Sequence, residues 1–136
     1  MIKILICCGG GFSSSAMAAH VRKQIETEGF SDKLSIDFSP MGLAHELVDD
    51  FDVIMACPHL RYLLEEYNRK RIHDRIPIYV LPPMMYGSMI VCEVYQDALD
   101  IIEGFKANPV NPFHFPGEEN IVRTRRKVAY RNYHKT

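Results

Sequence analysis

Apolar and polar positions along this chain alternate between two periods. Ile2 to Ile6 is a short apolar run, read as a buried strand. From Ser13 to Glu28 the apolar residues Ala16, Met17, Val21 and Ile25 recur at helical spacing, and Gly29 supplies the stop. Leu34 to Phe38 alternates as a strand does. Pro40 and Gly42 then turn the chain into a short helix with Leu43, Leu47 and Val48 on one side. Val53 to Ala56 is a third strand, closed by Cys57-Pro58. Leu60, Leu63, Leu64 and Tyr67 return to the helical period as far as about Ile72. Ile78 to Leu81 is a fourth strand between Pro77 and Pro82-Pro83. Ile90, Val91, Val94, Ala98, Ile101, Ile102 and Phe105 mark the last amphipathic helix.

Strands joined by helices predict a parallel sheet covered on both faces. Right-handed crossovers narrow this to a small doubly wound four-stranded α/β domain. Ligands in such folds sit beyond the carboxyl ends of the strands, near the point where strand order reverses. Three loops therefore matter: Cys8 to Ser15, Cys57 to His59, and Pro82 to Gly87. Residues 1–104 form the domain, and 105–136 form a C-terminal extension with turn signals at Asn108-Pro109, Asn111-Pro112 and Pro116-Gly117.

Composition changes this picture in one respect. The 136 residues suit one domain. Their net charge of -1 hides an asymmetry: residues 1–104 hold 9 Lys+Arg and 15 Asp+Glu, a balance of -6, and residues 105–136 hold 7 and 2, a balance of +5. An acidic body with a basic tail is not a neutral protein. The acidic body argues against direct nucleic-acid binding. The tail reads as a solvated extension, or as a contact for an acidic partner, a membrane surface or a second copy of the chain.

No apolar run reaches the roughly 18–20 residues of a membrane-spanning helix, and the start of the chain lacks the pattern of a signal peptide. The expected location is the cytoplasm. There Cys7, Cys8, Cys57 and Cys92 are thiols, not a disulfide framework. Six histidines without HxxxH or HExxH spacing give no metal signal, and no cofactor is expected.

The chemistry concentrates in Cys7-Cys8-Gly9-Gly10-Gly11-Phe12-Ser13-Ser14-Ser15. Glycines let backbone N–H groups turn inward onto an anion. A helix N-terminus adds unsatisfied donors and partial positive charge, and the serines cap it or donate hydroxyl bonds. A cysteine at the rim of such a nest is biased toward thiolate, a nucleophile facing phosphorus. The loop lacks GxxxxGK[ST], and Ser14 stands where GxGxxG needs its last glycine. The Cys-x5-Arg loop of low-molecular-weight tyrosine phosphatases fails as well, because the arginine position is Ser14 counted from Cys8 and Ser13 counted from Cys7. A cradle and a nucleophile without that clamp suit capture and handover of phosphate better than its hydrolysis.

This loop resembles that of the enzyme IIB component of the lactose/cellobiose type, from the phosphoenolpyruvate-dependent sugar phosphotransferase system. Two further segments are similar to that family: Val53 to Leu64, with its Cys57-Pro58-His59, and Met84-Met85-Tyr86-Gly87. The resemblance covers roughly residues 1–104. It implies a phosphotransferase component in sugar transport, with phosphocysteine at Cys8. The phosphoryl group would come from a histidine of a IIA protein and go to a sugar held by the membrane component IIC. Cys8 is preferred to Cys7 because it places Ser13, Ser14 and Ser15 at the family's hydroxyl positions. Gly9 to Ser15 would hold the phosphate, with Pro58, His59 and Tyr86 at the border.

Competing readings remain for several residues. His59 is equally a surface histidine at a helix start. Cys57 and Cys92 read as small core residues. Tyr62, Tyr86, Met84, Met85 and Met89 serve either packing or partner docking. From other classes come a regulatory binding module on the same fold and a cysteine-dependent phosphatase, the latter disfavoured by the missing arginine.

Overall fold

The computed structural model describes residues 1–8, 14–40, 48–58, 76–109, 113–118, 124 and 126–133. Four strands, β1 (Ile2–Cys8), β2 (Leu34–Pro40), β3 (Val53–Ala56) and β4 (Ile78–Val80), form one parallel sheet in the order β2-β1-β3-β4. Four helices accompany them among the described residues: α1 (Ser14–Thr27), α2 (Pro83–Ser88), α3 (Val91–Ala107) and α4 (Tyr130–Tyr133). The α/β class expected from the periodicity is the one observed. No described helix is long and apolar enough to cross a membrane.

The apolar runs become strands because both faces of this sheet are covered. Ile4, Leu5, Ile6 and Cys7 of β1 are at most 1% exposed, and all four residues of β3 are fully buried. Each large apolar side chain so buried contributes about 1.5–3 kcal/mol. α1 packs on β2 and α3 on β3, and the two helices touch each other. The expected helices over residues 41–47 and 60–72 lie outside the described residues. The end of the first of these, Val48–Asp50, is a 3-10 turn with Val48 buried.

α1 ends as Gly29 foretold. Gly29 adopts φ +75, and the N–H of Phe30 reaches back to the Ile25 carbonyl at 2.9 Å. This closure satisfies a last-turn carbonyl and needs the left-handed residue that glycine supplies without strain.

Three boundaries differ from the reading of the sequence. β1 runs two residues past Ile6, because Cys7 and Cys8 continue the pairing with Ser39 and Pro40; cysteine behaves here as a small apolar strand residue. The segment Pro82 to Gly87, read as a loop, contains α2. Its two prolines resemble a breaker, yet Pro83 sits in the first helical turn, where a missing N–H costs nothing. The last helix continues through Gly104 to Ala107.

Candidate functional site

The strand order places the reversal at β1. From β1 the chain crosses to β2 on one side, then returns past β1 to β3 on the other. In parallel sheets the crevice for a ligand opens at the carboxyl ends of the strands flanking that point. Here those ends are Cys8 of β1 and Cys57-Pro58 after β3. The strand ends are level: Cys7 is in register with Ala56, and the Cys57 N–H donates to the Cys7 carbonyl at 3.1 Å. β4 continues the edge, with the Leu81 N–H bonded to the Ala56 carbonyl at 2.9 Å.

Cys8, the last residue of β1, thus stands beside the end of β3, and α1 begins at Ser14. Of the expected phosphate-binding residues, Gly9, Gly10, Gly11, Phe12 and Ser13 lie outside the described residues, as does His59. Ser14 and Ser15 are placed as the first two residues of α1. Pro58 is half-buried directly after Cys57, and Tyr86 is half-buried on α2, which leaves the neighbouring strand end. Cys8, Pro58 and the helix carrying Tyr86 therefore belong to one edge of the sheet.

The other three cysteines differ in ways that bear on reactivity. Cys7 and Cys57 are fully buried in the core cluster. Cys92 is partly exposed on α3, with its Sγ 3.7 Å from a Glu93 carboxylate oxygen. Burial and the nearby charges of Glu93 and Glu28 push the Cys92 thiol up, which keeps it protonated. Among the described residues no cluster of three or more His, Cys, Asp or Glu is arranged to hold a metal.

Behind this edge, Gln24 on α1 joins the site helix to the α2–α3 junction. Its Oε1 accepts from the Val91 N–H at 2.9 Å, and its Nε2 donates to the Met89 carbonyl at 2.8 Å. Met89 itself has φ 43 and ends α2. The carboxamide therefore satisfies one orphan donor of α3 and braces a left-handed residue. No signal in the sequence marks Gln24.

A second feature missed by sequence reasoning is an ion cluster between the extension and the body. Arg126, 1% exposed, donates to both oxygens of Glu118 at 2.7 and 2.8 Å, to Asp97 at 2.7 Å, to the Tyr79 hydroxyl at 2.6 Å and to the Val128 carbonyl at 3.0 Å. Its guanidinium also lies 5.3 Å from the Phe115 ring centre and 5.6 Å from that of Tyr130, two rings that stack at 4.4 Å. Burial works against the charge of Arg126, but Glu118, Tyr79 and Asp97 more than offset it and hold the group protonated. Burial pushes the Asp97 carboxyl up, while Arg126 and the Tyr130 N–H pull it back. Burial also drives the Tyr79 hydroxyl above its ordinary value, so it stays neutral.

Around this centre the extension docks on one face of α3. Glu93 accepts from the Ala129 N–H and the Asn132 side chain, and Asp100 pairs with Arg131. Gly104 lets Phe113 approach α3: a Cβ there would stand 2.8 Å from the Phe113 ring. Phe113 in turn donates its N–H to the Ile78 carbonyl at 2.7 Å on β4. The signal for this docking was present as Glu93, Asp97 and Asp100 at i, i+4 and i+7, one acidic stripe, opposite a basic tail. The sequence reading of the tail as a solvated extension, or as a contact for an acidic partner, a membrane surface or a second copy, is corrected here: its described residues pack on the body of their own chain, with Arg126 and Ala129 buried.

A family model described as "PTS system, Lactose/Cellobiose specific IIB subunit" matches residues 3–97. The match begins in β1 and ends at Asp97, so Glu118, Arg126 and Tyr130 of the ion cluster lie beyond it.

Proposed function

Because the chain belongs to the lactose/cellobiose-specific IIB family of the phosphotransferase system, we propose that it carries a phosphoryl group on Cys8 between a IIA phosphodonor and a sugar held by a IIC membrane component. The family makes the chain a sugar phosphotransferase component and implies IIA and IIC partners in general. The position of Cys8 carries the finer reading. It ends β1 at the reversal of strand order, with α1 starting at Ser14.

Cys7 is a poor candidate, since a nucleophile must reach its donor and Cys7 is fully buried. In the reaction, the Cys8 thiolate attacks phosphorus as the N–P bond to the donor histidine breaks, and an S–P bond forms. A sugar hydroxyl then attacks phosphorus, loses its proton, and releases the thiolate. Backbone N–H groups of Gly9 to Ser15 would bind the phosphoryl oxygens, with hydroxyls of Ser13, Ser14 and Ser15 assisting. Pro58, His59 and Tyr86 would border the site. Residues 1–104 form the phosphocysteine unit and 105–136 its extension, working in the cytoplasm.

The test is reconstitution with labelled phosphoenolpyruvate, enzyme I, HPr and a matching IIA. Wild type and Cys7→Ser take up label, and Cys8→Ser takes up none. Label on Cys8→Ser would overturn the assignment.

A further inference from the structure

The extension grips the side of the sheet from which α2 leaves. Phe113 bonds to β4 at Ile78, and Phe113 and Phe115 pack on the Tyr79 ring at 6.3 and 5.6 Å between centres. Arg126 then ties three elements of the family-matched region at once: β4 through the Tyr79 hydroxyl, α3 through Asp97, and α2 through Met85, whose sulfur is 3.1 Å from Nη1.

α2 needs such an anchor. It has six residues and no side-chain cap at its start, and Met85 is its one buried residue. A helix of this length has little stability of its own. Its C-terminal end is braced by Gln24 at Met89, and its buried side chain meets Arg126. Tyr86, the residue after Met85, is half-buried, and Met84 before it is 37% exposed. The segment that Arg126 contacts thus leaves β4 at the same carboxyl edge of the sheet at which Cys8 ends β1.

We propose that Arg126 is a positioning residue: it fixes α2, and with it Tyr86, against the carboxyl edge of the sheet, so that the extension shapes the surface met by the phosphodonor. Arg126 touches no reacting atom. Its effect falls on donor recognition, and therefore on KM more than on kcat. This kinetic half rests on the phosphocysteine reading, whereas the structural half does not.

Two variants of the full chain test it. Tyr79→Phe removes one oxygen and keeps the aromatic packing. Arg126→Lys keeps the charge but loses the planar fork that spans Glu118, Asp97 and Tyr79. Hydrogen exchange is followed at the amides of Tyr86 and Met89, which bond to the Pro82 and Met85 carbonyls at 3.0 and 2.8 Å. In both variants these amides exchange about ten-fold faster, as expected for one weakened charge-assisted bond, while those of Ile4 to Ile6 in β1 keep their protection. KM for the phosphorylated IIA rises by about ten-fold with kcat near wild type. Unchanged exchange at Tyr86 and Met89 in folded variants would overturn the positioning role. Faster exchange with unchanged KM would overturn the functional half and leave Arg126 purely structural. Absence of label on wild-type Cys8 would instead refute the phosphocysteine reading, with the exchange measurement still deciding the positioning.

Discussion

The edge of the sheet at Cys8 and the face of α3 beneath the extension handle charge in opposite ways. Between Cys7 and Ser15 the chain offers glycine, serine and one phenylalanine, with no Lys or Arg at all. On α3 a single guanidinium is enclosed by two carboxylates, a hydroxyl, a carbonyl and two aromatic rings. The proposed chemistry explains the first arrangement. In that proposal a phosphoryl group that must arrive and leave would be held by backbone dipoles, which cost no side-chain ordering and leave no buried charge behind. A permanent cation needs permanent partners, and Arg126 has them. The acidic body and basic tail thus meet through Arg126 with Asp97 and Arg131 with Asp100, while Glu118, itself in the extension, completes the partners of Arg126.

The sharpest way to break this contrast is to empty one side of the ion cluster. Arg126→Ala leaves Asp97 buried without its cation, and breaking a buried pair in this way costs about 3–5 kcal/mol. Denaturant unfolding of the full chain should show that loss. A loss below about 1 kcal/mol, the range of exposed pairs, would mean that the extension is a surface ornament. The body would then stand without it.

Much of the frame of this molecule is legible in its sequence. β1, β3 and β4 announce themselves as short apolar runs, β2 as an alternation and α3 by its long helical period, because burial on two faces or on one stripe constrains every position. The alternation of strands and helices pointed to the carboxyl-edge loops that hold Cys8, Pro58 and Tyr86, and the family resemblance added Pro58, His59 and Tyr86 as border residues. α2 was hidden because Pro82-Pro83 is both a breaker and a helix start, and local sequence does not choose between them. Arg126 was hidden for a different reason. It sits in the run Arg123-Thr124-Arg125-Arg126-Lys127, where all four cations look alike, and its burial depends on Asp97, 29 residues earlier in the chain. Local periodicity carries no information about a contact of that kind.

Gln24 lies between the two regions and offers a smaller perturbation. Gln24→Ala strips the Val91 N–H and the Met89 carbonyl of their partner, at a cost of about 1–3 kcal/mol. The unfolding midpoint should fall accordingly. Gln24→Glu should recover part of the loss, because a carboxylate still accepts from Val91 and favours the start of α3. If Gln24→Glu were as damaging as Gln24→Ala, the brace at Met89 would matter more than the cap on α3.

Arg131 sets the lower bound and sharpens the contrast within the extension itself. It lies five residues after Arg126, makes a two-pronged bond to Asp100 at 2.8 and 2.9 Å, and by distance alone looks as strong as the buried pair. Hydrogen bonding to Asp100 raises its already high pKa, so protonation is not in question. Exposure is the difference: 46% for the Arg131 side chain against none for that of Arg126. Water competes for both partners and salt screens them, so Arg131→Ala should cost about 0–1 kcal/mol. That cost should shrink further as ionic strength rises, whereas the cost of Arg126→Ala should barely respond, because a desolvated pair is poorly screened. Parallel denaturant titrations of both variants at low and high salt would read this directly. Equal salt sensitivity would mean that the Arg126 cluster is open to solvent, and the distinction between a spent cation and a surface one would fail.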